Sequence, residues 1–179
     1  TEERTDRMLF SDGPMGIEKY YLYADFLSDD ISSADFKTLN GKRIGVLIGA
    51  KPEAMLNEWE LKNGLKTIHI NIKSKEEALA KLENGEIDCF ISLEEPFWAD
   101  KDVSIITRIG KSNIYFAINK DHPEIKKELD LVMHQLEEER PFYLSDLYRQ
   151  YFSSDYTPVL SSEEKSWLEE HGAIRMGFL

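Results

Sequence analysis

The apolar positions change period along the chain, and each change marks an element. Alternating aromatic and aliphatic residues over 20–26 predict a strand. Residues 33–39 fit a short helical turn, and Asn40-Gly41 is a turn signal. The nearly continuous apolar run 43–48 predicts a strand covered on both faces, as in a parallel sheet. Gly49 ends that run, and Pro52 suits a first helical position. Met55, Leu56, Trp59 and Leu61 supply the apolar side of the helix, and Asn63-Gly64 closes it. A strand follows at 67–70. Ser74 and Glu77 then form a capping box ahead of Ala78, Leu79 and Leu82, with a stop at Gly85. Residues 87–91 read as another buried strand. The order strand, helix, strand, helix, strand predicts right-handed crossovers and a parallel α/β sheet within 39–119. Val46, Ile48, Ile68, Phe90 and Ile91 are its expected core.

Two more strands are expected at 104–109 and 113–119, separated by Gly110-Lys111. Pro123 opens a long amphipathic helix, with Ile125, Leu129, Val132, Met133 and Leu136 at helical spacing. Pro141 opens a second helix, to about Phe152. After the polar break 153–155, Ser161 and Glu164 form another capping box. That helix is expected to bury Trp167 and Leu168 and to end at Gly172. Residues 174–179 read as a strand. Thr1-Glu2-Glu3-Arg4 runs directly into apolar Met8-Leu9-Phe10, and the chain stops inside an apolar strand, so a segment excised from a longer protein is expected.

Composition narrows the function classes. Hydrophobic residues at 41% and charged residues at 31% support a packed core under a solvated surface. Acids outnumber bases 34 to 22, for a formal net charge of −12. That field repels a phosphate backbone and argues against nucleic-acid binding. No apolar run approaches the roughly 18 residues of a membrane span, and residues 1–7 have no signal-peptide pattern. The single Cys89 excludes an internal disulfide framework and a Cys-based zinc site.

The candidate chemistry is binding, not catalysis. His69, His122, His134 and His171 are scattered without metal-ligand spacing. Cys89 lies in a buried strand, where a thiol is inert. There is no Gly-x-Ser-x-Gly elbow and no phosphate-binding glycine loop, so no cofactor is expected. The Glu137-Glu138-Glu139 and Glu163-Glu164 runs read as solvated helix faces. Open α/β sheets bind ligands at the carboxyl ends of their strands. One such end is Gly49-Ala50-Lys51, where a helix N-terminus favours an anion. Lys51 helps there and Glu53 opposes. The other end is Ser92-Leu93-Glu94.

The ordered set of segments resembles the bacterial extracellular solute-binding proteins of family 3, which have the type II periplasmic binding-protein fold. Thr1-Glu2-Glu3-Arg4 with Phe10-Ser11 is similar to the family's T-x-x-R…F-S. Residues 39–46 followed by Gly49 are similar to L-x-G-K-x-V-G-V…G. Glu77-Ala78-Leu79, Leu82, Gly85 and Ile87-Asp88 are similar to E-A-L-x-x-L-x-x-G-x-x-D, and residues 115–120 to the return strand. The match covers roughly residues 1–152. It implies two lobes that close on a small solute. Residues 1–26 would hold the tail of an incomplete lobe 1 and a crossing strand. Residues 27–120 would be a complete lobe 2 with a parallel sheet, and 121–152 helices returning to lobe 1. Residues 153–179 would be a linker and the start of a second copy, because 160–168 with 174–177 resemble the domain's opening.

Tandem copies are similar to sensor regions of membrane-anchored signalling proteins, including histidine kinases and GGDEF-type diguanylate cyclases. The expected function is therefore an extracytoplasmic, non-catalytic sensor at the periplasm or cell surface. The alternative is a receptor for an ABC uptake transporter. An enzyme, as in dehydratase relatives, would need a cleft acid or base, and no candidate stands out.

The resemblance places Arg4 against a ligand carboxylate, which a guanidinium fork suits. Arg4, Ser11, Gly49, Ala50, Lys51, Ser92, Leu93 and Glu94 form the expected ligand set, around a small solute that can bear a carboxylate. Arg4 and Lys51 are expected to share one space, with 92–94 at its rim. Two positions depart from the family pattern. Gly49-Ala50-Lys51 lacks the hydroxyls of Gly-Ser/Thr-Thr. Leu93 stands where the family's ammonium-pairing aspartate would, five residues after Asp88, and an apolar side chain cannot pair an ammonium. The strand at 174–179 is expected to pair with its own chain or to swap into a homodimer.

Overall fold

The computed structural model describes residues 7–152 and 162–171. Arg4, the Ser161 cap, Gly172 and the strand expected at 174–179 lie outside the described residues. The strands are β1 (Met8–Phe10), β2 (Gly16–Asp25), β3 (Arg43–Val46), β4 (Ile68–Asn71), β5 (Cys89–Leu93), β6 (Val103–Ile114) and β7 (Ala117–Asn119). The helices are α1 (Lys51–Asn63), α2 (Lys75–Glu83), α3 (Pro123–Glu139), α4 (Tyr143–Phe152) and α5 (Ser162–His171). They divide into two units, one of residues 19–110 with α5, the other of 7–18 with 111–152.

The first unit is built on a sheet of order β4-β3-β5-β2-β6. β3 runs parallel to both β4 and β5, as the crossover order requires. The whole sheet is mixed, because β2 joins β5 antiparallel, Tyr20 facing Leu93 and Ala24 facing Cys89. The chain steps outward from β3 to β4 through α1, then back across β3 to β5 through α2. Right-handed crossovers in opposite directions put their helices on opposite faces. The packing agrees. Leu56 and Trp59 of α1 join Leu22, Ile44, Val46, Cys89 and Ile91. Ala78 and Leu82 of α2 join Tyr21, Tyr23, Phe90 and Trp98. Burial of each large side chain stabilises by about 1.5–3 kcal/mol.

Local chemistry sets the ends. Gly64 adopts φ 64°, the left-handed region, and its N–H closes α1 on the Glu60 and Leu61 carbonyls. Ser74 Oγ accepts the Glu77 N–H at 3.2 Å, while the Glu77 carboxylate accepts the Lys73 N–H at 2.9 Å. The Arg43 guanidinium grips both oxygens of Asp88, at 2.7 and 3.1 Å. The same carboxylate accepts the Arg43 backbone N–H at 2.7 Å. These bonds pin the start of β3 to the start of β5. They hold the Asp88 carboxyl below the usual aspartate range.

Four expectations are corrected. Ile48 is 48% exposed because β3 ends at Val46 and the chain turns away. Ile68 is 52% exposed because β4 is an edge strand. The two strands expected at 104–109 and 113–119 are present, but the break between them falls at 115–116 and not at Gly110-Lys111, so residues 103–114 are one continuous strand. Gly110 serves close packing there, not a turn: a Cβ on it would sit 2.9 Å from the Met55 sulfur. Trp167 and Leu168 are partly exposed, at 47% and 40%.

In the second unit β1 pairs antiparallel with β7. Asp12 and Asp130 both bind the Lys126 ammonium, and the Asp130 carboxylate accepts the Asp12 N–H at 2.9 Å. Leu131, Val132, Phe142, Leu144 and Tyr151 are exposed on α3, α4 and their link. No helix among the described residues is long and apolar enough to cross a membrane.

Candidate ligand-binding site

The parallel strands β3, β4 and β5 end at one edge of the first unit. Their carboxyl ends surround a hollow of about 140 Å³. Leu47 follows β3, Ile72, Lys73 and Ser74 follow β4, and Ser92 is the last residue but one of β5. Pro52 and Ala78 come from the first turns of α1 and α2, and Phe90 and Trp98 complete the wall. This is where a doubly wound sheet offers room for a ligand, since successive crossovers leave to opposite faces. The wall is mostly apolar, with Ser74, Ser92, Lys73 and Lys75 supplying the polar groups.

A stack of aromatic rings backs the hollow. Tyr23 lies flat on Phe90 at 5.4 Å, Phe90 meets Trp98 at 4.9 Å, and Phe97 meets Trp98 edge-on at 4.8 Å. Burial, with help from the nearby Glu94 charge, raises the Tyr23 hydroxyl pKa, so it stays a donor. It donates to the Leu93 carbonyl at 3.3 Å, and Trp98 Nε1 donates to the same oxygen at 3.1 Å. The end of β5 is thus held by two side chains. Lys75 pairs with Glu95, its ammonium 4.9 Å from the Phe97 ring centre.

The two expected strand ends differ in state. At the β3 end, the Gly49 N–H donates to Glu53 Oε2 at 2.7 Å, and the Ile48 N–H donates to Asn71 Oδ1 at 3.2 Å. Ala50 precedes α1 and contributes no side-chain cap, and Lys51 is exposed. At the β5 end, alternation divides the three residues. Ser92 lines the hollow, while Leu93 packs against the α1-side core. Glu94 has a side chain only 9% exposed. Its Oε2 lies 3.7 Å from Lys19 Nζ, and its Oε1 is buried with no hydrogen-bond partner among the described residues.

Ser11 lies in the other unit. It is buried, its hydroxyl donating to the Gly13 carbonyl at 2.8 Å and accepting the Phe116 N–H at 3.2 Å. The structure therefore brings Ser92 to the hollow and sets Gly49, Ala50 and Lys51 beside it, between lining residues Leu47 and Pro52. Sequence reasoning missed Ile72, Lys73, Ser74 and Trp98. The strand-end rule, applied to the third parallel strand, finds the first three. Trp98, in a Pro-aromatic-aromatic run beyond β5, carries no comparable signal. Burial pushes the Cys89 thiol up to about 12, in keeping with an inert core cysteine. His69 contacts Glu60 at 3.2 Å and Glu53 at 3.7 Å.

No protein-family description matches the chain, and no curated protein does. Solved structures do match. One is the probable amino-acid ABC transporter extracellular-binding protein ytmK from Bacillus subtilis. It is 18% identical with a TM-score of 0.71, over 87% of this chain and 68% of that one. The chain has the type II periplasmic binding-protein fold. A second example of this fold is the amino acid ABC transporter substrate-binding protein AbpA from Streptococcus pneumoniae, solved bound to L-arginine. It is 22% identical with a TM-score of 0.58, over 86% of this chain and 66% of that one. A third is the ancestral amino-acid-binding protein AncCDT-1, a precursor of cyclohexadienyl dehydratase. It is 21% identical with a TM-score of 0.61, over 86% and 65%. The chain thus spans about two thirds of the length of these proteins. At this level of identity the likeness establishes the fold.

Proposed function

We propose that the chain is an extracytoplasmic module that binds a small solute at the carboxyl ends of β3, β4 and β5. The observation that carries this is the hollow at those strand ends, lined by Ser92; two residues further along the chain, Glu94 keeps a buried oxygen with no donor among the described residues. A buried carboxylate oxygen without a donor is costly, and a ligand cation or N–H would remove that cost. Glu94 is therefore assigned as the acceptor for a positively charged or N–H-bearing group. Ser92 adds a hydroxyl at the rim. Leu93, in the core, takes no part. Arg4 and Lys51 remain the proposed partners of any carboxylate on the solute.

Two of the matched proteins named above come from amino-acid ABC transporters, which favours a receptor that delivers solute to an uptake system. The second reading, a tandem sensor domain of a membrane-anchored signalling protein, rests on the resemblance of residues 160–177 to the opening of another copy. In both settings the chain binds and does no chemistry. Calorimetry against the standard amino acids and their amines tests the proposal. Saturable binding that Glu94→Gln weakens is expected. Micromolar binding of an amino acid that survives both Glu94→Gln and Arg4→Ala overturns the assigned contacts.

A further inference from the structure

We propose that the hollow receives the carboxylate of a solute with an apolar body, and that Lys73 selects for that charge. The inference deepens the solute-binding reading of this sheet edge and rests on it. The wall itself carries the argument. The chain has 34 acidic residues against 22 basic ones, yet among the described residues no Asp or Glu lines the hollow. Its polar side chains are those of Lys73, Ser74, Lys75 and Ser92, and each has a proton to donate. The rest of the wall is apolar, with Phe90 and Trp98 supplying rings. Donors on an apolar wall without a carboxylate suit an acid group attached to hydrocarbon.

The four donors differ in how far they are already used. The Lys75 ammonium pairs with Glu95 and lies 4.9 Å from the Phe97 ring centre, so its charge is compensated. Ser74 Oγ accepts the Glu77 N–H at 3.2 Å and keeps its own proton. Ser92 is half-buried, and its hydroxyl has no partner among the described residues. The Lys73 ammonium has no partner among them either. The Lys73 main chain is nevertheless fixed. The Ile72 N–H donates to the Val46 carbonyl at 3.1 Å, and the Lys73 N–H donates to Glu77 Oε2 at 2.9 Å. Glu77 Oε1 turns to Lys81 at 3.8 Å, so this carboxylate holds the Lys73 backbone without capturing its ammonium. Lys73 is therefore the uncompensated charge of the hollow. One ammonium and two hydroxyls match the single charge and two oxygens of a carboxylate. A phosphate dianion would bring more charge than the hollow compensates, and an ammonium would be repelled. Lys73 is a specificity-determining residue outside the set that the family resemblance supplies.

The test is a nitrogen–proton NMR titration of the chain with sodium isovalerate, with isovaleramide and with isopentylamine hydrochloride, at ionic strength matched with sodium chloride. The three probes share a branched hydrocarbon body and differ in charge. The Lys73 and Ser92 amides and the Trp98 indole N–H report on the hollow. Isovalerate should shift them saturably, and isovaleramide should bind about fivefold more weakly, the loss of one solvent-open ion pair. The amine should bind no better than the amide. Lys73→Gln should make isovalerate and isovaleramide equal. Lys73→Arg should keep the preference, as should Lys66→Gln, which removes an exposed charge outside the hollow. Should Lys73→Gln lose its dispersed spectrum, Lys73→Met is read the same way. Equal binding of isovalerate and isovaleramide to the unaltered chain overturns the proposal. So does a preference that survives in the folded Lys73 variants without charge, or the absence of a saturable shift with any probe. Isovalerate binding as expected, in a chain that binds no amine or amino acid, would uphold Lys73 and count against the Glu94 assignment alone.

Discussion

The β3 and β5 ends stand side by side at one sheet edge, yet they solve their polar groups in opposite ways. At the β3 end the chain supplies its own anion: Glu53 meets Gly49, and Asn71 meets Ile48. At the β5 end the backbone is tied down by Tyr23 and Trp98, while Glu94 is left with one buried oxygen unpartnered among the described residues. A helix N-terminus is thus not an anion site merely because its N–H groups point outward. The first-turn side chain decides whether they are already taken. By the same logic, an acidic residue in a loop is a ligand candidate when burial leaves it short of donors, and not merely because it is charged.

Removing the support of the β5 end should have the largest effect. Trp98→Ala takes away a buried indole and its bond to the Leu93 carbonyl, for a loss of about 3–5 kcal/mol in denaturant unfolding. The matching change at the β3 end, Glu53→Ala, should cost about 1 kcal/mol, because it removes one partly exposed cap. Equal losses would erase the contrast between the two ends.

The Arg43–Asp88 clasp sits at the opposite, amino end of β3 and β5, and it should respond to acid. Its carboxyl pKa is lowered by the guanidinium hydrogen bonds, so its stabilisation is full above the ordinary aspartate value of 3.8. It is lost as pH falls below that value, through the lowered pKa of the folded state. Asp88→Asn should therefore be less stable by about 1.5–3 kcal/mol at neutral pH. The gap to the unaltered chain should narrow as pH is lowered. A pH-independent gap in urea unfolding would refute the assignment. Ser74→Ala, which removes the α2 cap at the rim of the hollow, should cost about 1 kcal/mol by the same measurement.

Much of the first unit was readable from apolar periodicity and turn residues. The β3-α1-β4-α2-β5 order, the Gly64 stop and the Ser74–Glu77 box follow from local rules, because each is decided within a few residues. What depended on neighbours was misread. Ile68 has the sequence of a buried strand, but β4 lies at the sheet edge. Gly110 has the sequence of a turn, but it lies inside β6, where Met55 packs too close to leave room for a Cβ. At the site, the strand-end rule reaches Ser92, which lines the hollow. The freedom of the Glu94 oxygen was not visible from spacing, because it depends on where Lys19 falls across β2 and β5. The wall from Trp98 likewise depends on a contact that no spacing encodes.

The most direct measurement is calorimetric titration of the chain with cationic amino acids and amines, comparing it with Glu94→Gln. The account predicts saturable binding that Glu94→Gln weakens by about thirtyfold, roughly 2 kcal/mol, with the melting temperature little changed. Unchanged affinity in folded Glu94→Gln would contradict the assignment of the β5 end as the place where the solute's positive group is held.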